Sequence, residues 1–122
     1  MPRALAKKTC MEDEPALNML EFAELNDTIG VDGVSDMVWI FETETRRRLG
    51  RLTAGGLDMA TTRREMHTLK GAAGTVAAPR LTALGRRLEQ AANQGIAPTP
   101  DDLRAIGDAL EAFLAALRAR DV

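Results

Sequence analysis

Apolar residues recur three and four positions apart along most of the chain, the spacing that places side chains on one face of an α-helix. This pattern predicts five amphipathic helices. The first runs from Pro15, a favourable residue for a first helical position, to about Asp27, and Gly30 follows as a stop. Its apolar stripe is modest and comprises Ala16, Leu17, Leu20, Ala23 and Leu25.

The second helix is predicted from about Val34 to Leu52, and either Asp32 or Ser35 can cap its start. Trp39 and Ile40 lie off its main apolar stripe, which predicts that this helix buries more than one face. We expect these two side chains to pack against the first helix; contact with a partner is the less favoured reading. The three arginines Arg46–Arg48 suit the negative end of the helix dipole and are interpreted as a solvated helix end.

Three further helices complete the pattern. The third opens near Asp58 and ends before Pro79, because a residue that precedes proline is disfavoured in the helical region. The fourth runs from Pro79 to about Asn93, and Gly95 stops it. The last opens at Thr99, which precedes a proline and two acidic residues. The seam positions are Met59, Thr62, Met66, Leu69, Ala73 and Val76, then Leu81, Leu84, Leu88 and Ala91, then Leu103, Ile106, Leu110, Phe113, Leu114 and Leu117.

Five amphipathic helices with short connections predict an all-α fold, an antiparallel four-helix bundle with an additional N-terminal helix. We assign residues 14–122 to this bundle. Residues 1–13 mix charges with no apolar period, so they are predicted to be a flexible N-terminal arm. The abundance of alanine, leucine, arginine and glutamate, with only 3% aromatic residues, favours helix over strand as well.

Composition narrows the possible partners and location. A chain of 122 residues corresponds to one domain, and its single cysteine, Cys10, forms no internal disulfide. A net charge of −2 argues against strong binding to nucleic acid or to an anionic membrane. The basic residues near the start precede no apolar signal segment, and no apolar run is long enough to span a bilayer. We therefore expect a cytoplasmic protein.

The third helix carries a feature that the core does not explain. His67, the only histidine, lies one step around the helix from the apolar seam and is predicted to project outward. Cations and glycines share its face. They are Arg63, Arg64, Lys70, Gly71 and Gly74. Two glycines inside a helix each cost about 0.5–1 kcal/mol relative to alanine, so they need a physical reason.

Two reasons for the glycines are open: close packing of another helix, or access for a partner to the imidazole. We favour access, because the glycines lie on the histidine's face rather than on the seam. The cations suit a nucleophilic imidazole, because neighbouring positive charge opposes protonation. They can also screen phosphoryl oxygens, and Lys70 is the nearest. An ordinary solvated face with a surface histidine stays open as the alternative.

The segment His67-Thr68-Leu69-Lys70-Gly71-Ala72-Ala73-Gly74 resembles the H-x-L-K-G signature of histidine phosphotransfer (HPt) domains. It is also similar to the phosphoacceptor domain of chemotaxis histidine kinases. The likeness continues through Leu81 and Leu88-Glu89. The resemblance implies a four-helix bundle without kinase activity of its own, which relays phosphoryl groups between the aspartates of receiver domains.

Carried over by residue, the resemblance implies that His67 is the phosphoacceptor and that Lys70 assists the phosphoryl group. Gly71 would leave room for a docking receiver domain. Because Arg63, Arg64 and Gly74 lie on the His67 face of the same helix, we expect them to belong to the partner-binding surface too. Two positions depart from the family pattern. Ala77 stands where a glycine is frequent, and Gly85 stands where a bulkier residue, often cysteine, is common.

The resemblance also sets the expected partners: a response-regulator receiver domain and a histidine kinase or hybrid kinase. No cofactor is expected on this chain, because the receiver supplies the Mg²⁺. We expect a monomer. The main alternative is a helical adaptor that binds receiver or kinase domains without phosphotransfer. A di-iron bundle enzyme would need Glu-x-x-His pairs, which the sequence lacks. Residue types alone leave a Ser–His–Asp hydrolase open, but no serine or acid lies three or four residues from His67.

Overall fold

The computed structural model of the protein describes residues 14–120. The arm predicted for residues 1–13 lies outside the described residues, so the division between arm and bundle stays a prediction. Within residues 14–120 the chain forms five α-helices and no strand, which confirms the predicted all-α class. They are α1 (Met19–Ile29), α2 (Val31–Ala54), α3 (Met59–Thr75), α4 (Pro79–Asn93) and α5 (Pro100–Arg120).

Helices α2 to α5 form the four-helix bundle. Each packs against the next, and α5 packs back against α2 and closes the ring, while α1 packs against α2. The connections span residues 55–58, 76–78 and 94–99, and such short links join antiparallel neighbours. The seam residues meet in the centre, where Met66, Leu81 and Leu110 are fully buried. The rings of Phe41 and Phe113 pack edge to face there, with centroids 5.7 Å apart.

The starts of the last three helices follow their sequence signals. Asp58 caps α3, because its side chain accepts a hydrogen bond from the backbone N–H of Thr61 at 2.7 Å. Pro79 is the first residue of α4. The hydroxyl of Thr99 accepts from the backbone N–H of Asp102 at 3.0 Å, and the Asp102 carboxylate accepts from the N–H of Thr99 at 2.9 Å. This reciprocal pair is a capping box.

Helix α1 begins at Met19, so the predicted start at Pro15 is wrong. Asn18 is the residue that caps α1. The segment before it is held by other parts of the fold: the N–H of Asn18 donates to the carbonyl of Ala77 at 2.9 Å, and the N–H of Arg80 donates to the carbonyl of Pro15 at 3.2 Å. These long-range bonds keep the chain around Pro15 out of the helix.

Helix α2 begins at Val31, three residues before the predicted Val34, and neither Asp32 nor Ser35 caps it. Gly30 joins α1 directly to α2 with a φ of 85°. Glycine adopts this left-handed conformation without a steric penalty, so the chain changes direction within one residue and needs no capping loop.

The prediction that α2 buries a second face is wrong. Trp39 and Ile40 have 66% and 55% of their surface exposed. Trp39 is two residues, or about 200°, around the helix from the buried Phe41, and α1 does not cover that side. Leu20 of α1, which the apolar stripe included, is also exposed, at 80%.

Candidate functional site

His67 lies at the centre of α3, eight residues from either end. The residues beside it along the chain anchor the helix, since Met66 and Leu69 are fully buried. The imidazole itself is 66% exposed, on the outer face that the sequence predicts. A rigid, well-packed helix therefore holds a histidine that a second protein can reach.

A carboxylate from the neighbouring helix holds this histidine. Oε2 of Glu89, on α4, lies 2.8 Å from Nδ1 of His67, and Oε1 of the same side chain lies 2.7 Å from Nζ of Lys70. The hydrogen bond from Lys70 is the largest cause of a lowered pKa for Glu89; desolvation opposes it, and the hydrogen bond from His67 adds to it. Glu89 is therefore a carboxylate at neutral pH, and it binds both partners at once.

The contact with Glu89 selects one form of the His67 ring. An ionised carboxylate only accepts hydrogen bonds, so a neutral imidazole keeps its proton on Nδ1 and its lone pair on Nε2. Within residues 14–120, no group forms a hydrogen bond with Nε2. Nε2 is thus the ring nitrogen that remains without a hydrogen-bond partner among the described residues.

The glycines of the His67 face differ in their surroundings. A Cβ added at Gly71 would meet nothing within 4 Å, and one added at Gly74 would meet only the Thr82 hydroxyl, at 4.0 Å. Close packing of a helix therefore does not explain either glycine, and access for a partner stays a prediction. The glycine that packs closely is Gly85 on α4, against the backbone of Lys70.

The cations of this face are accessible. Arg63 and Arg64 are both exposed; Arg64 reaches the Thr61 hydroxyl at 3.5 Å, and Arg63 has no polar partner within residues 14–120. The structure adds Arg86 of α4, which is exposed and also unpaired among the described residues. Arg86, Thr82 and Gly74 line a cleft of about 330 Å³ between the start of α1 and the start of α4.

The expectation of a histidine surrounded only by cations is corrected, because Glu89 is its direct partner. Sequence reasoning placed Glu89 within the family likeness but gave it no role. The two residues are 22 positions apart on different helices, so their contact depends on the register between α3 and α4. The signal that could have found it is the short 76–78 connection, which fixes that register.

The reading of Arg46–Arg48 as a solvated helix end is wrong for Arg48, whose side chain is only 8% exposed. Nε of Arg48 and Nη2 of Arg51 lie 2.8 and 3.0 Å from Oε1 of Glu65, on α3. Desolvation acts to raise the pKa of Glu65, but the hydrogen bonds from the two arginines outweigh it and lower that pKa. This cluster ties α2 to α3 two residues before His67.

Among residues 14–120, no group of three or more histidine, cysteine, aspartate or glutamate side chains is arranged to hold a metal ion. No helix in the same part of the chain has the length and apolar character needed to cross a membrane.

The fold and site define a class of protein: a helical bundle that presents one histidine, held by a carboxylate, on an open face. The family model described as Hpt domain matches residues 36–120, which include the whole His67 site. The chain therefore belongs to the Hpt domain family, whose members are phosphocarriers in two-component phosphorelays. Helix α1 lies outside the matched region. No curated protein and no solved structure matches the chain.

Proposed function

We propose that His67 takes a phosphoryl group from the aspartyl phosphate of one receiver domain and passes it to the aspartate of another. The partners are the receiver of a hybrid histidine kinase and that of a response regulator. The observation that carries the proposal is the arrangement of the imidazole: Nδ1 contacts Glu89 at 2.8 Å while the ring is 66% exposed at the centre of α3.

The transfer needs no proton to leave the protein. The lone pair of Nε2 attacks phosphorus and forms an N–P bond, while the P–O bond to the aspartyl group breaks and its electron pair leaves with the carboxylate. The ring keeps its Nδ1 proton and becomes cationic. Because the Glu89 carboxylate already faces Nδ1, it stabilises the positive charge as it develops. Attack by a second aspartate reverses these steps.

Lys70 is proposed to stabilise the transferred group. Its Nζ is held by Glu89 at 2.7 Å, three residues along α3 from His67, so the ammonium lies on the same helix face as the ring. Charge-assisted hydrogen bonds from an ammonium to phosphoryl oxygens are stronger than those between neutral groups. The Mg²⁺ that such a transfer requires is proposed to belong to the receiver, and this chain contributes the nucleophile and its positioning.

The receiver is proposed to dock along α3 and α4. The open surface at Gly71 and Gly74 lets a partner's backbone come close to the histidine, and Arg63, Arg64 and Arg86 surround that surface with positive charge. An acidic phosphorylation pocket complements these cations, and such complementarity raises the association rate. The monomeric state remains a prediction alongside this docking mode.

The test is phosphoryl transfer from a panel of phosphorylated receiver domains to the wild-type protein, His67→Gln and Lys70→Ala. We expect an acid-labile, base-stable label on the wild type, none on His67→Gln, and slower labelling of Lys70→Ala with unchanged helicity by circular dichroism. Label retained by His67→Gln would refute the assignment. Receivers that bind but never transfer would instead support the adaptor function.

A further inference from the structure

Gly85 of α4 makes the closest helix contact of any glycine in the described residues. A Cβ built on it would lie 3.0 Å from the backbone nitrogen of Lys70 and 3.1 Å from the Cα and the Cβ of that residue. Two of these three atoms are backbone and cannot rotate away. A residue with a side chain would therefore fit between α3 and α4 here only if the two backbones moved apart by a few tenths of an ångström.

This contact lies next to the Glu89 site. Gly85 and Glu89 are four residues apart on α4, so they share a face and are separated by about 6 Å along the helix axis. On α3, Lys70 is both the residue that Gly85 touches and one of the two partners of Glu89. The separation of the helices at Gly85 thus sets how far the Glu89 carboxylate must reach.

The carboxylate is fully engaged at this site. Its two oxygens are both used, one at 2.8 Å from His67 and the other at 2.7 Å from Lys70. Because one carboxylate makes both contacts, a displacement of α4 by a few tenths of an ångström lengthens or misaligns the two of them together.

We propose that Gly85 is a positioning residue for the phosphoacceptor: by lacking a side chain, it lets α4 approach α3 closely enough for one carboxylate to hold His67 and Lys70 together. The inference rests on the proposed function of His67 and deepens it.

The first test uses the ring itself and needs no partner. Because His67 is the only histidine, its imidazole nitrogens are assigned without ambiguity in ¹⁵N NMR spectra of the whole protein. We expect the wild type to show the Nδ1–H tautomer and Gly85→Ala to show a mixture of both tautomers. Gly50→Ala is the matched control, since a Cβ there meets nothing within 4 Å and Gly50 is inside α2. The control should keep the wild-type spectrum.

Glu89→Asp provides an independent test if Gly85→Ala fails to fold. It leaves Gly85 in place and shortens the carboxylate by one methylene, so the reach argument predicts the same loss of the Nδ1–H tautomer. A wild-type tautomer spectrum in folded Gly85→Ala, or in Glu89→Asp, would overturn the inference.

The second test is a double-mutant cycle on the rate of phosphoryl transfer. We expect Gly85→Ala to slow transfer by roughly 5- to 10-fold, as a small misplacement of reacting groups does, and to add no further loss in a Glu89→Ala background. An equal loss in both backgrounds would show that Gly85 acts through general packing. If the wild type accepts no phosphate at all, the proposed function fails, while the tautomer spectra still decide the role of Gly85.

Discussion

Two glutamates of the bundle each contact a pair of nitrogen-bearing side chains, but the two sites differ in how exposed those partners are. Glu65 contacts Arg48 and Arg51, and Glu89 contacts His67 and Lys70; both carboxylates are about equally sheltered, at 16% and 15% exposed. Arg48 is 8% exposed, whereas His67 is 66% exposed. The first pair contributes to the helix interface, and the second leaves its histidine reachable.

Replacement of Glu89 by glutamine tests the role of the carboxylate at the residue level. An amide also donates hydrogen bonds and carries no charge, so it neither selects the Nδ1–H tautomer nor stabilises the cationic ring. We expect transfer to slow by about 10-fold or more, yet by less than the ~10⁴ lost at a buried catalytic triad, because water can solvate the exposed imidazole. Single-turnover transfer from a phosphorylated receiver measures this effect.

Glu111→Gln is the matched control, since Glu111 is an exposed carboxylate on α5 that pairs with Arg46 on α2. It should transfer at the wild-type rate. Equal rates for Glu89→Gln and the wild type would remove Glu89 from the mechanism.

The arginines of α2 give a stability prediction at the same scale. Arg48→Ala leaves Glu65 in a half-buried position without its shortest hydrogen bond, so we expect the free energy of unfolding to fall by about 2–4 kcal/mol. Arg47→Ala, whose side chain is 65% exposed, should change it by about 0.5 kcal/mol or less. Urea denaturation of the two variants measures the contrast, and similar midpoints would contradict the structural role of Arg48.

At the element scale, α3 has an anchored side and an open side. Its seam residues Thr62, Met66, Leu69 and Ala73 are buried, and the strip that contains Gly71 faces free space. We expect Gly71→Leu to raise the free energy of unfolding by about 0.5–1 kcal/mol through helix propensity. The same change should weaken receiver binding by roughly 10-fold, because the leucine occupies the space that a docked partner needs.

Gly50→Leu is the comparison for that variant, because Gly50 is also an exposed glycine inside a helix with nothing nearby. It should gain similar stability with no loss of affinity. Isothermal titration calorimetry with a receiver domain measures both affinities. Unchanged affinity for Gly71→Leu would show that docking does not involve this strip.

Local signals predicted the later helices better than the earlier ones. The caps at Asp58 and Thr99 and the proline at position 79 act within a few residues, so the sequence contains the whole signal for α3, α4 and α5. The start of α1 depends on bonds from Asn18 to Ala77 and from Arg80 to Pro15 across the fold. No local pattern reveals those contacts. Ala77 itself adopts a φ of 64°, in the left-handed region that glycine adopts without a steric penalty, and the sequence gives no local sign of it.

The candidate site, too, could be predicted from the sequence only where a single helix determines it. The position of His67 and its outward direction follow from helical periodicity, which one helix determines alone. Its bond to Glu89 and the contact of Gly85 with Lys70 depend on two helices and their spacing, which periodicity does not fix. The buried position of Arg48 was missed for a related reason. A run of arginines is expected to face solvent, but the charge of Arg48 is balanced by Glu65, which lies on another helix.

At the scale of the whole molecule, carboxylates with lowered pKa values connect the elements. Glu65 links α3 to α2, Glu89 links α4 to α3, and Asp102 links α5 to Arg87 of α4. The pKa of Asp102 is lowered as well: desolvation opposes the shift, but hydrogen bonds from the Thr99 backbone and from Arg87 outweigh it. The fourth contact of the ring, between α5 and α2, has an ion pair as well, because Nη1 of Arg46 lies 2.9 Å from Oε2 of Glu111. A carboxylate ion pair therefore spans every contact around the ring of helices.

These shifts predict how stability depends on pH. A carboxyl group whose pKa is lower in the folded protein than in the unfolded chain binds protons more weakly when folded, so protonation favours unfolding. The stabilisation is complete above the unfolded values of ~4.3 for glutamate and ~3.9 for aspartate, and it is lost as pH falls through the lower folded values. We expect the free energy of unfolding to be nearly constant from pH 7 to about pH 5 and to decrease steeply below pH 4.

Urea denaturation at a series of pH values measures this profile, and Glu65→Gln isolates one contribution to it. The variant lacks the titrating group, so it should be less stable than the wild type at pH 7, and its stability should decline less on acidification. The two curves should therefore converge as pH approaches 3. Parallel curves across the whole range would show that the pKa of Glu65 is the same in the folded and unfolded states, and that its arginine partners give the bundle no pH-dependent stability.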